Sequence, residues 1–287
     1  MVLAMNRLVF LPTLVSTLAV VTACSAAERP VAEHEMVVPL GELSGLAVRT
    51  VGELSELLTI GDEAREIVAI PIASGLPSTA GARRIPLPLP PQAGGSELEG
   101  VAVAADGTVW VVVERGEVFA YSLDGVAARE LWRKPIVFPP GHPLEAAWQA
   151  DANRRAEGLA LVGERVFIVK QSDPVALVEL LPERDRLLAA AAWTLTDLDD
   201  ASDVVPGASG LYVLGARSEK ICRLAVPTEA AAALLPCTKT WALPTSLGTG
   251  KTRWEGLAFL PDGRPVVAVD RKPIDRPNVA VLPLLPP

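Results

Sequence analysis

Apolar residues in this chain come in short alternating runs bounded by Gly, Pro and Asp turns, the pattern of half-buried strands. The runs fall into a repeat. A phrase of a small or acidic residue, Gly, an aliphatic, a small residue and another aliphatic reads ELSGLAV at Glu42 to Val48, ELEGVAV at Glu97 to Val103, RAEGLAL at Arg155 to Leu161 and WEGLAF at Trp254 to Phe259. DASDVV, Asp200 to Val205, is a degenerate copy with Asp203 in the glycine place. Gly45, Gly100, Gly158, Asp203 and Gly256 stand 55, 58, 45 and 53 residues apart, within the range of propeller repeats.

Each phrase opens a strand, and a second apolar strand follows a turn: LLTIGD at Leu57, TVWVVV at Thr108, RVFIVK at Arg165, GLYVLG at Gly210 and PVVAVD at Pro265. Third strands are IVAIPI, VFAYSL, ALVEL, KICRL and NVAVLPL. Runs at Arg83, Glu130, Ala191 and Lys239, all but the third carrying Pro, suit solvent-facing outer strands. A counterpart for the last unit is found only at the other end of the chain, in EMVVPLG, Glu35 to Gly41. The expected fold is therefore all-β: a single propeller of five four-stranded antiparallel blades, six being the lesser alternative, closed by the N-terminal strand, which removes the open sheet edges. Pro143 to Arg155 and Glu183 to Ala192 have helical composition and are expected as helices in loops.

The N-terminus changes where the domain begins. Met5-Asn6-Arg7, the apolar Leu8 to Val21 and Val21-Thr22-Ala23-Cys24 spell a lipoprotein signal over 1–23, with Cys24 acylated, a tether over 24–32 and the propeller over 33–287. The apolar run falls short of the roughly 20 residues of a membrane span. Ser25 after the cysteine points to the outer membrane facing the periplasm, with the bilayer as partner through Cys24. Export also places Cys222 and Cys237 in an oxidising compartment, where they form either a disulfide, closing a loop for about 3 kcal/mol, or two buried thiols.

A net charge of −8, a pI near 5.0 and scattered Lys and Arg exclude a nucleic-acid binder, and two histidines, His34 and His142, leave little for His-rich metal sites. Gly248-Thr-Gly-Lys-Thr252 lacks the first Gly of a P-loop, since residue 245 is Thr. Candidate chemistry comes from stacking the repeats. The residue before the repeated Gly is Ser44, Glu99, Glu157, Ser202 or Glu255, and the second strand ends at Asp62, Glu114, Gln171, Ala216 or Asp270. Hairpins centred on Asp106-Gly107 and Asp262-Gly263 would set Glu99 opposite Glu114 and Glu255 opposite Asp270, while Glu157 would face Lys170. Like charges across a strand pair are destabilising unless neutralised. Two readings stand: ion pairs with Arg115, Arg253 and Arg271, or a channel site of Glu99, Glu114, Glu157, Glu255, Asp270 and Asp62. Within the second, Glu99, Glu114, Glu255 and Asp270 would hold a hard cation such as calcium. Trp148, Trp254 and His142 are further channel candidates, with core or loop roles as the alternative.

ANRRAEGLALVGERVFIVKQSDP, and ELSGLAV followed by Gly61-Asp62-Glu63, resemble the SdiA-regulated β-propeller family of bacterial exported proteins. Glu99 to Gly107 and Glu255 to Gly263, each EGVA or EGLA followed by an Asp-Gly turn, are similar also to the esterase-like domain related to phytases. The resemblance implies an exported propeller and brings no catalytic set; Ala216 and the missing Gly of the fourth unit depart from the pattern. The expectations are a lipid-anchored envelope propeller binding a small ligand, cation or protein at its channel, a calcium-dependent hydrolase of phosphoesters or esters, or a non-catalytic scaffold.

Overall fold

The computed structural model describes residues 29–90, 97–150, 155–228, 234–247 and 253–287; the signal segment, Cys24 and the Gly248 to Thr252 run lie outside the described residues. After β1 (His34–Met36), a first antiparallel meander runs β2 (Leu43–Val51), β3 (Leu54–Gly61) and β4 (Glu66–Ala73), edged by β5 (Leu76–Pro77) and β6 (Arg83–Pro86). The second is β7 (Leu98–Val103), β8 (Val109–Val113), β9 (Glu117–Leu123) and β10 (Ala128–Val137). Helix α1 (Glu145–Ala150) precedes the third, β11 (Ala156–Val162), β12 (Arg165–Lys170), β13 (Ala176–Pro182) and β14 (Leu187–Leu195). The fourth is β15 (Asp203–Gly207), β16 (Gly210–Gly215) and β17 (Lys220–Leu224), then β18 (Leu234–Leu235), which pairs with β14, and β19 (Lys239–Ala242) at its edge. The last meander is β20 (Arg253–Phe259), β21 (Pro265–Asp270) and β22 (Val279–Val281), and its outer strand is β1, with His34 opposite Val281 and Met36 opposite Val279.

The fully buried Asn278 clasps the two ends together. Its Oδ1 accepts from the Val38 N–H at 2.8 Å, and its Nδ2 donates to Val38 O at 3.0 Å. The apolar cores lie between consecutive meanders. Phe119 and Tyr121 pack against Ile67 and Ile85, Trp148 against Leu159 and Ile168, Trp193 against Val204 and Val213, Trp254 against Tyr212 and Leu214, and Leu260 and Val266 against Leu46 and Leu57. Strands β2, β7, β11, β15 and β20 lie side by side around an axis, with β20 returning to β2.

The repeated glycine sets how closely these inner strands approach. A Cβ on Gly100 would lie 2.8 Å from Leu159 N and 2.9 Å from Gly158 Cα; on Gly158 it would lie 2.6 Å from Asp203 Cα, with Val204 N nearer still. The requirement is steric: backbone meets backbone, and only a hydrogen fits.

One expectation needs correction. Glu183 to Ala192 is not helical: Glu183 and Arg186 close a turn and β14 begins at Leu187, its side chains alternating between buried and more exposed. Pairing with β13 and burial of every second residue override the helix propensity of the Leu-Ala run. In Pro143 to Arg155, helix is confined to α1 among the described residues. Cys222 and Cys237 are joined in a disulfide, Cα atoms 5.5 Å apart, linking β17 to the segment leading into β19.

Candidate functional site

The register moves the facing pairs expected from the sequence. Leu98 pairs with Val113 and Gly100 with Val112, so Glu99 is an extra residue with no partner across the ladder. The same irregularity falls at Glu157, where Ala156 and not Glu157 faces Lys170, and at Glu255, where Arg253 faces Asp270. Ser44 occupies it in the first meander, between Leu43 and Gly45. Glu99 therefore does not oppose Glu114, nor Glu255 Asp270. A bulge inserts one residue, and that shifts every pair beyond it by one while re-aiming the bulged side chain. Arg115 pairs with Glu97, Arg253 lies 3.9 Å from Asp270, and Arg271 donates to the Leu247 and Pro277 carbonyls.

The bulged side chains reach toward the neighbouring inner strand. Ser44 Oγ donates to Leu98 O, and Ser202 Oγ donates to Trp254 O at 2.5 Å, each acceptor being the residue just before the next bulge. Where the bulge carries Glu the side chain is longer, and no hydrogen bond forms at Glu99, Glu157 or Glu255 among the described residues. Glu157 is 4% exposed; Glu99 and Glu255 are half-buried. Their electrostatic neighbours come from across the ring. Glu99 is close enough to feel Glu157, Asp62, Glu255 and Glu114, and Glu157 to feel Glu255, Glu114, Asp200 and Asp62. The sequence-predicted site residues Glu99, Glu114, Glu157, Glu255, Asp62 and Asp270 thus gather at one end of the axis.

Burial first, and mutual repulsion second, push the carboxyls of Glu99 and Glu157 well above the usual range. The same causes raise Glu255 to about 8, with Asp270 its main repulsive neighbour and Arg253 opposing. Asp62 and Asp270 are raised by burial and then by Glu42. Asp200, which sequence reasoning did not single out, is raised by burial although its Oδ1 accepts from the Arg217 N–H at 2.9 Å. The buried Lys170 at the end of β12 donates to Ser172 O. Among the described residues no three His, Cys, Asp or Glu side chains are grouped to hold one metal ion.

Below this acidic mouth the axis is closed by Asp203, which the sequence showed only as a missing glycine. Its Oδ1 accepts from the Val204 N–H at 2.7 Å and its Oδ2 from the Leu257 N–H at 2.8 Å, and the Leu46 N–H also points to it. One carboxyl thus ties β15 to β20 and β2. Burial drives it well above the ordinary range, and these main-chain donors offset part of that. Beyond Asp203 lies an apolar cavity of about 130 Å³ lined by residues such as Val48, Val103, Leu161 and Phe259. The two ends of the axis therefore differ in kind: one acidic, one greasy.

The other candidates are packing groups. Trp148 fills the core between the second and third meanders, 4.6 Å from Phe138 and over Gly116, and Trp254 fills the core between the last two meanders. His142 Nδ1 accepts from the Leu144 N–H at 3.1 Å, so it shapes its own loop, and burial holds its pKa below the usual value.

No protein family and no curated protein matches the sequence. Solved structures do match the fold. The chain superposes on Myxococcus xanthus glutaminyl cyclase with a TM-score of 0.58 at 12% identity, covering 90% of this chain and 97% of that one. It superposes on the PQQ-bound aldose sugar dehydrogenase of Streptomyces coelicolor with a TM-score of 0.50 at 15% identity, covering 88% and 96%. At such identities the likeness concerns backbone alone, and with the ring of antiparallel meanders it identifies the fold as a β-propeller.

Proposed function

We propose that this protein is a five-bladed propeller, anchored in the bacterial envelope through an acylated Cys24, that binds a small ligand at the acidic mouth of its axial channel. The blade count rests on the meanders and on β1 completing the last of them. The site assignment rests on one observation above all: Glu157 is 4% exposed, and burial together with the carboxyls of Glu255, Glu114 and Asp200 pushes its own carboxyl well above the usual range. Burying acidic groups within one another's field opposes folding, a cost that folding alone gives no reason to keep. A ligand there would offset the mutual repulsion of these carboxyls.

Two measurements test the parts separately. Labelled palmitate should enter the wild-type protein and not Cys24→Ala, which should leave the membrane fraction; equal labelling of both would remove the anchor. A thermal-shift screen of sugars, amino acids, amines and calcium should yield at least one ligand whose effect disappears in the Glu99→Ala/Glu157→Ala/Glu255→Ala triple variant. Ligands that act equally on both proteins would place binding elsewhere.

A catalytic reading is favoured by one feature. A carboxyl held at about 8, like that of Glu255, is still largely protonated at neutral pH, which suits a general acid. Phosphoester and ester hydrolysis with and without calcium belong in the assay, and so do glutaminyl peptides, because the solved structure with a TM-score of 0.58 is a glutaminyl cyclase.

A further inference from the structure

We infer that the apolar cavity at the far end of the axis is a second binding site, for a small neutral amphiphile: a hydroxyl or amide head on an apolar body of about six carbons. This site is independent of the acidic mouth.

The repeat itself builds the cavity. Three places after each repeated glycine, or after Asp203, stand Val48, Val103, Leu161, Pro206 and Phe259, and all five line it. Every inner strand contributes the same position, so the cavity lies on the axis and not between two blades. Pro206 is exposed and the other four are half-buried, which makes this tier the opening. One step deeper stand Ala47, Ala102 and Ala258, whose small side chains leave the space. Leu46, Val101 and Leu159 form the inner tier, where Asp203 closes the axis by accepting from the Leu46 and Leu257 N–H groups.

Size sets the body of the ligand. The cavity holds about 130 Å³, and from the Leu46 tier to the Val48 tier a strand rises about 7 Å. An apolar cavity of about 150 Å³ stays dry and takes up benzene. One ring, or a chain of about six carbons, therefore fits along the axis, and a fused ring system does not.

The lining sets the head. Every side chain around the cavity is apolar, so a full charge drawn into it would be buried without a partner. The main chain is another matter. Strands β2, β7, β11, β15 and β20 each end their sheet, with no strand beyond them on the axial side. The Ala104 and Leu260 N–H groups bond outward across their hairpins to Thr108 O and Arg264 O, so alternation turns the N–H and C=O of Val103 and Phe259 toward the axis. The Leu46 N–H points to Asp203, and two residues on that of Val48 turns inward likewise. Pro206 offers a carbonyl only. The opening thus presents donors and acceptors side by side with no net charge. A hydroxyl or an amide, which both donates and accepts, matches it.

The test is equilibrium dialysis of the full chain in lipid nanodiscs, with empty nanodiscs as the blank, against benzyl alcohol, 1-hexanol, benzoate and benzylamine. Benzyl alcohol and hexanol should each saturate one site per chain and displace one another. Benzoate and benzylamine should bind about tenfold more weakly, or worse, because each carries a charge into an apolar lining. Ala102→Leu fills the middle tier and should weaken hexanol binding by about tenfold or more. Val103→Phe, at the half-exposed opening, should do the same and serves as the second variant in case the first folds poorly. Leu54→Ser removes an apolar side chain that is 74% exposed and outside the cavity, and should bind hexanol as the wild type does. No saturable binding above the blank would overturn the assignment, and so would hexanol affinity indifferent to both Ala102→Leu and Val103→Phe. Benzoate or benzylamine bound as tightly as benzyl alcohol would overturn the neutral head. An equal loss in Leu54→Ser would show adsorption to the surface in place of a cavity site.

Discussion

A Gly158→Ala protein is expected to lose on the order of 4 kcal/mol of stability or more and to accumulate poorly. The new methyl would meet Asp203 Cα at 2.6 Å and Val204 N closer still, and neither is the yielding tip of a side chain. Relief requires moving β15 away from β11. That strains the Leu257 N–H bond to Asp203 and the packing of Val204 against Trp193. The matched comparison is Gly163→Asn in the β11–β12 turn. There φ is +61°, nothing lies within 4 Å of the added carbon, and Asn tolerates the left-handed conformation. It should change stability by no more than about 1 kcal/mol. Urea denaturation of the two variants decides the matter. A Gly158→Ala midpoint equal to that of Gly163→Asn would mean that the inner strands do not meet backbone to backbone.

The second large effect is a reversal of the usual acid sensitivity. Most proteins lose stability as carboxylates are protonated, because native carboxylates commonly have depressed pKa values. Here Glu99, Glu157 and Glu255 are raised in the native state, Glu255 to about 8, while in the unfolded chain they titrate in the ordinary range. Between the two values the native state holds more protons than the unfolded one, so stability is full below the unfolded pKa and falls as pH rises through the native one. Each proton held only by the native state contributes a slope of about 1.4 kcal/mol per pH unit. The melting temperature of the ligand-free protein should accordingly decline between about pH 5 and 9. Glu255→Gln should flatten the upper part of that decline and raise the melting temperature at the alkaline end. Stability that climbs over the same interval, or a slope indifferent to all three glutamates, would show that the mouth is open enough for water to hold them ionised.

The architecture was legible because its cause is local and periodic. A glycine lets one inner strand lie close against the next, and it recurs with four of the five strands, so Gly45, Gly100, Gly158 and Gly256 advertise the repeat. The outer strand at Glu35 was legible by the same logic, as the piece missing from the last unit. The clustering of acidic residues could be inferred from their equivalent places in the repeat, but their pairing could not. A bulge adds one residue without any compositional mark, and one residue is enough to replace a Glu99–Glu114 contact with the Leu98–Val113 pair. The recurrence of Ser or Glu just before the glycine is the signal that could have revealed it. Leu187 to Ala192 misled because its Ala-rich composition favours a helix, whereas its partner β13 decides the outcome. Asp203 misled in another way: it looked like decay of the motif and is the residue that joins three inner strands.

The pairing of β1 with β22 also fixes an order of events. Asn278 finds its partners Val38 and Leu40 some 240 residues back along the chain, so the final seam cannot form until nearly all of the polypeptide is at hand. Meanders built from neighbouring strands can condense earlier, at small loop-closure cost, but they form an open arc whose two ends search for each other. For a chain delivered as an extended thread, that arrangement postpones the last cooperative step until delivery is complete.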